Sequence, residues 1–227
     1  RDISLKPGNL TADAREVIEN KDVDIVVELM GGIEPAREYI CQAIQHKKWV
    51  VTANKALLAE KGDEIFALAA KEGVEIGFEA SVCGGIPIIK AIRDGLVGNR
   101  INYILGILNG TSNYILTKMT VEGMPFELAL KEAQRLGFAE SDPTFDVEGI
   151  DAAHKLCILI RLAFQCPARM SDIVTGGISR IDPIDIEFAK EFGYRIKLLA
   201  VAKEENGKVE ARVEPAMIPT AHPMSNV

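Results

Sequence analysis

The chain has 227 residues, 48% hydrophobic and 26% charged, with a formal net charge of −7 at pH 7. That composition is globular, and the length allows one large domain or two small ones. The acidic balance leaves no basic surplus to neutralise phosphates and argues against a nucleic-acid partner. No apolar run approaches a membrane span. Four cysteines (Cys41, Cys83, Cys157, Cys166) form no CxxC pair and read as reduced thiols of a cytoplasmic protein. Three histidines without an HExxH give no zinc signature. No signal peptide is recognisable, and a chain that opens at Arg1 and stops at Val227 reads as a fragment.

Residues 1–22 are polar, with a short helix expected over 11–20. The run Val23 to Leu29, rich in Val and Ile and closed by Gly31-Gly32, has the pattern of a buried parallel strand. Glu34-Pro35 opens a helix, because proline suits the first turn and an acid suits the positive end of the helix dipole. A strand over 49–53, a long helix over 56–71 and a strand over 74–78 follow. Strand, helix, strand, helix, strand implies parallel pairing with right-handed crossovers, a doubly wound α/β sheet. Such sheets bind ligands at the carboxyl ends of their strands, where Gly31-Gly32 and Asn54-Lys55 both fall. The phosphate-cradling GxGxxG is absent; its place would be a strand–helix turn before residue 1. Either the sheet is the later part of a dinucleotide-binding domain or it binds something else.

Glu79 to Pro87, with Gly84-Gly85, is a glycine-rich loop opening a helix over 88–96. It reads either as a hinge or as a loop whose carbonyls wrap a hard monovalent cation. Cys83 within it has no base nearby in sequence and is not read as a nucleophile. From about residue 85 the pattern becomes α+β: a strand over 101–108, a helix over 113–120 capped by Asn109-Gly110-Thr111-Ser112, and an amphipathic helix over 126–136. A helix over 184–192 and two strands, 194–203 and 208–215, joined at Glu205-Asn206-Gly207-Lys208, complete the chain. Helices are expected on one face of this second sheet, and its apolar strand faces suit a dimer contact.

The densest stretch is 133–155. A helix ends at Gly137, an acidic loop carries Glu140, Asp142, Asp146 and Glu148, and a second helix starts near Ile150. Asp151 and Lys155 are four apart and share a helix face. Alone they read as an ordinary solvated pair; with the loop folded over them they read as one amine within a ring of acids. His154 points about 100° away around the helix and reads as structural.

This stretch resembles the signature of homoserine dehydrogenase: Ala133, Gly137-Phe138-Ala139, Asp142-Pro143, Asp146-Val147, Gly149, Asp151 and Lys155, with no departure. The resemblance extends over nearly the whole chain and includes the Asn109-Gly110-Thr111 turn, for which capping alone is the other reading. It implies a truncated Rossmann-type NAD(P)-binding domain over residues 1–85 and a catalytic and dimerisation domain over 86–227. It implies interconversion of L-aspartate 4-semialdehyde and L-homoserine with NAD or NADP, in threonine, methionine and isoleucine biosynthesis, by a homodimer or homotetramer. Lys155 would donate the proton in reduction, with Lys55 approaching from the nucleotide domain. Glu140, Asp146, Asp151 and Lys55 would hold substrate; Gly31, Gly32, Asn54, Lys55 and Ser81 would face the cofactor. Sodium would sit on Glu79, Val82, Gly84 and Ile86. Arg1 and Lys6 could meet a 2′-phosphate, but solvated basic residues explain them equally. The rival readings are a catalytically silent module for oligomerisation or amino-acid binding, and another lysine-dependent Rossmann reductase.

Overall fold

The computed structural model describes Gly8 and residues 10–227; Arg1 and Lys6 lie outside the described residues. The chain forms two compact units, Arg1–Lys90 and Ala91–Val227.

The first unit runs α1 (Ala14–Glu19), β1 (Ile25–Glu28), α2 (Ala36–Gln45), β2 (Trp49–Thr52), α3 (Lys55–Glu72), β3 (Ile76–Gly77) and the short α4 (Ile88–Lys90). The sheet order is β1-β2-β3, all parallel, with Ile25 opposite Trp49 and Val50 opposite Ile76. Alternation along β2 sends Val50 and Thr52 inward and Trp49 and Val51 outward. The inward face packs on α2 and α3, whose Ile40, Ile44, Leu57, Leu58 and Ile65 are fully buried. Burial of each such side chain stabilises by roughly 1.5–3 kcal/mol. The other face leaves Ile25, Val27, Trp49 and Val51 exposed, although parallel sheets are ordinarily covered on both sides. α3 ends at Gly73, whose left-handed φ of 68° lets its N–H return to Ala69 and Ala70.

The second unit runs β4 (Tyr103–Gly106), α5 (Gly110–Glu122), α6 (Phe126–Arg135), α7 (Thr144–Val147), α8 (Ile150–Phe164), β5 (Val174–Thr175), α9 (Pro183–Glu191), β6 (Tyr194–Glu205) and β7 (Lys208–Pro219). Its sheet order is β4-β6-β7-β5; β6 is antiparallel to β4 and β7, and β5 runs parallel to β7. α8 is buried nearly all round, from Asp151 to Ile160 with Lys155 half-buried, which makes it the central helix of this unit. On β7, Ala211 and Val213 are buried, while Glu210, Arg212 and Glu214 line the open side as an ion-pair ladder.

Several expectations needed adjustment. The helix expected over 88–96 is a single α-turn followed by a π-helical turn, Ala91–Gly95. The helix expected over 113–120 starts at Gly110, because Asn109 alone is its cap. The hairpin strands are longer than expected and reach Pro219. The acidic loop holds one helical turn, Thr144–Val147, and the short edge strand β5 carried no signal in the sequence.

Candidate active site

The site in the second unit is built by the ends of four elements. α6 closes in a Schellman arrangement: Gly137 takes φ 78°, its N–H returns to Gln134, and Phe138 N–H returns to Ala133. Thr111 Oγ1, in the first turn of α5, donates to the Phe138 carbonyl at 2.6 Å. Ser112 Oγ donates to the Asp146 carbonyl at 2.7 Å. The start of α5 therefore anchors both ends of the acidic loop. From the other side, Ile178 N donates to the Val147 carbonyl at 2.7 Å. Gly149, at φ 78°, turns the chain into α8; a Cβ there would meet the Gly176 carbonyl oxygen at 3.2 Å.

These anchors fix the charges. Lys155 Nζ donates to Asp151 Oδ2 at 2.6 Å and to the Leu108 carbonyl at 2.8 Å. An ammonium has three N–H groups, so one remains for a ligand oxygen. Asn109 Nδ2 donates to Asp146 Oδ1 at 2.7 Å and to Asp151 Oδ2 at 2.8 Å, while its Oδ1 accepts Ser112 N. Asp151 and Asn109 are buried; Lys155 and Asp146 are half-buried.

The ring of acids expected around the amine is not what forms. Of the acidic loop and α8, only Asp151 pairs with Lys155. Asp146 reaches the group through Asn109, Asp142 accepts from Thr144 N and Oγ1, and Glu140 lies exposed with its carbonyl taken by Gln134. The reason is local: one residue after Asp142-Pro143 the chain turns into α7, and the acids diverge around that turn. His154 is buried, with its ring 6.1 Å from that of Phe145. Sequence reasoning weighed the Asn109-Gly110-Thr111 turn between a helix cap and a family match without assigning Asn109 these partners, and it missed Gly177 altogether. A Cβ on Gly177 would lie 2.5 Å from the Val147 carbonyl oxygen.

In the first unit, a second network orders the carboxyl ends of β1 and β2. Buried Glu28 accepts Met30 N at 2.7 Å, Gly31 N at 3.3 Å and Thr52 Oγ1 at 2.6 Å. Asn54 accepts Leu57 N as the cap of α3 and donates to the Gly32 carbonyl at 2.7 Å. Gly31 and Gly32 both take left-handed φ, 77° and 75°, and a Cβ on Gly31 would meet nothing. Bare backbone is thus presented where parallel sheets take ligands. Lys55 is half-buried at the first turn of α3. Ser81 is buried and donates its hydroxyl to the Phe78 carbonyl at 2.6 Å. Glu79 accepts Ile89 N and Lys90 N at 2.8 and 2.9 Å; Val82 is buried, and Gly84 and Ile86 are exposed. Among the described residues no cluster of three or more His, Cys, Asp or Glu could hold a metal ion, and no helix is long and apolar enough to cross a membrane.

The sequence model of homoserine dehydrogenase matches residues 87–227, and that of the homoserine dehydrogenase NAD-binding domain matches residues 2–79. The chain belongs to the homoserine dehydrogenase family. It is 48% identical to a homoserine dehydrogenase of Bacillus subtilis over 227 residues, all of this chain and 52% of that protein. It is 54% identical to that of Neisseria gonorrhoeae, covering 95% of this chain and 49% of the relative. A crystal structure of a homoserine dehydrogenase from Thiobacillus denitrificans superposes with a TM-score of 0.93 at 54% identity, over 96% of this chain and 50% of that one. A hyperthermophilic archaeal homoserine dehydrogenase in complex with NADPH gives a TM-score of 0.78 at 31% identity, over 93% of this chain and 61% of that one. The chain spans about half the length of the curated relatives it matches. The α/β architecture expected from the sequence agrees with these homoserine dehydrogenase structures.

Proposed function

We propose that the protein carrying this chain interconverts L-homoserine and L-aspartate 4-semialdehyde with NAD or NADP, and that Lys155 handles the proton. The observation that carries this reading is the Lys155–Asp151 pair at 2.6 Å with one ammonium N–H left over. When bound, the nicotinamide supplies hydride to, or takes it from, the carbon bearing the reacting oxygen. Lys155 gives its proton to that oxygen in reduction and receives the hydroxyl proton in oxidation. Asp151 and the Leu108 carbonyl hold Nζ in place, so the donor does not have to be oriented at each turnover. Glu140, exposed and acidic, suits the substrate ammonium; Asp146 and Asp151 orient the polar end. Gly31, Gly32, Asn54, Lys55 and Ser81 serve the cofactor side. The left-handed backbone at Gly31 and Gly32 and the amide of Asn54 on Gly32 fit close approach by a dinucleotide. An archaeal relative with NADPH bound supports a nicotinamide cofactor.

Sodium on Glu79 and the carbonyls of Val82, Gly84 and Ile86 is part of the same reading. An all-oxygen donor set suits a hard monovalent ion; the chain turns at Cys83 and Gly84 with φ 59° and 57°, and the Ile86 carbonyl, which accepts Ile88 N at 2.8 Å, would serve through its second lone pair. The domains proposed are 1–85 for nucleotide binding and 86–227 for catalysis and dimerisation. Exposed Tyr103, Val174 and Met217 on the second sheet suit a homodimer or homotetramer. The open apolar face of the first sheet suits burial by the earlier part of a nucleotide-binding domain. The decisive test is homoserine oxidation, followed as dinucleotide reduction, in a polypeptide that joins this chain to its glycine-rich unit. Lys155→Ala is expected to lower kcat by at least about 10²-fold with dinucleotide affinity retained. Wild-type turnover in that variant would overturn the assignment. Absence of activity in the parent would favour the silent binding module.

A further inference from the structure

Helix capping does not account for all that Asn109 does. Its Oδ1 accepts Ser112 N at 2.7 Å, which satisfies the cap of α5 and fixes the orientation of the amide, since only the oxygen can take that hydrogen. The two hydrogens of Nδ2 are then committed to two different carboxylates, Asp146 from α7 at 2.7 Å and Asp151 from α8 at 2.8 Å. The Asp151 oxygen that receives Asn109 also receives Lys155. The preceding carbonyl, Leu108, takes a second N–H of the same ammonium. Two successive residues therefore set the amine and its counter-ion from one side, and buried Asn109 is the point where α5, α7 and α8 meet chemically.

Two carboxylates within reach of one nitrogen repel each other unless a donor lies between them. An amide supplies that donor without adding a charge that would compete with Lys155 for Asp151. We propose that Asn109 is a positioning residue for the reaction: by bridging Asp146 and Asp151 it fixes the Asp151 carboxylate, and through it the remaining proton of Lys155, against the substrate oxygen. The proposal rests on the reading of Lys155 as the proton donor. It adds a residue whose effect passes through Asp151 rather than through contact with substrate.

The test uses two variants of the enzyme that contains this chain together with its nucleotide-binding unit. Asp and Ser cap a helix about as well as Asn, so Asn109→Asp and Asn109→Ser both keep the acceptor for Ser112 N. Asn109→Asp turns an oxygen where the bridging N–H groups were; Asn109→Ser removes them without adding a charge. Expected for both is a fall in kcat for homoserine oxidation of about 10²-fold, the scale of a misplaced reacting group, with the KM for dinucleotide within about threefold of the parent. If Asn109 serves only as a cap, both variants keep kcat within about threefold, and the proposal is overturned. It is also overturned if kcat, dinucleotide binding and thermal midpoint collapse together in both, since that marks general loss of structure. If Asn109→Asp does not fold, Asn109→Ser carries the same criteria. A parent that does not oxidise homoserine sinks the functional reading and this one with it. An active parent with active variants sinks only the role of Asn109.

Discussion

Gly177→Ala tests how the acidic loop is held. The added methyl would meet the Val147 carbonyl oxygen at 2.5 Å, Glu148 Cα at 2.6 Å and Glu148 Oε2 at 2.6 Å. Only the last can swing away; the other two are backbone. Ordinary non-bonded carbon contacts lie near 3.5–4.0 Å, so relief requires a shift of about 1 Å. The segment cannot simply retreat toward the sheet, because Gly176 N is bound to the Val213 carbonyl of β7 at 2.7 Å. The shift therefore falls on Val147–Glu148 and strains the Ile178 N to Val147 carbonyl bond. Asp146 lies one residue before that point and Asp151 three residues after it. Overpacking of this kind costs about 1–3 kcal/mol, and misplacement by about 1 Å lowers turnover by about 10²-fold. The assay is kcat/KM for homoserine oxidation in the enzyme carrying this chain, paired with a chemical denaturation curve. Unchanged stability together with unchanged kcat/KM would refute the claim that residues 176–178 set the position of the loop.

Lys197 makes a pH prediction. Its buried Nζ donates to Asn113 Oδ1, Thr117 Oγ1 and the Val227 carbonyl. Burial pushes its pKa below the usual lysine range, and Arg195 pushes the same way. Between the folded value and the ordinary value near ~10.4, the unfolded chain binds the proton and the folded one does not, so stability rises with pH across that window. The penalty is complete below it. Lys197→Met lacks this component. Urea melts from neutral pH to about pH 10.4 are expected to shift the difference in the wild type's favour, and parallel curves would refute it. Trp49 is the single tryptophan and stands 54% exposed beside Val27 and Ile25. For this chain alone, solvent-like tryptophan emission and binding of a hydrophobic dye are expected, with Val27→Lys weakening the dye signal. A blue-shifted emission with no dye binding would show that this face is covered.

Local chemistry made much of this protein legible from its sequence. A Val and Ile run closed by glycines gives β1, a second Val-rich run gives β2, Asn109 announces a helix start, and Gly137 announces a helix end. In each case the signal acts within a turn or two of chain, through periodicity, capping or left-handed φ. The Asp151–Lys155 pair was legible for the same reason, since i and i+4 share a helix face. What remained hidden depended on residues far apart in sequence. The bridge from Asn109 to Asp146 and Asp151 spans 37 and 42 residues. Lys155 finds the Leu108 carbonyl across 47. Gly177 needs to be glycine because of Val147 and Glu148, which no local rule brings near it. Periodicity places a side chain on a face, but packing of α5, α7 and α8 decides which donors and acceptors meet there. The sequence therefore determined the charges and the helices that carry them, and the tertiary structure decided that the amine meets Asp151 and the Leu108 carbonyl, with Asn109 bridging Asp151 to Asp146, rather than a ring of acids.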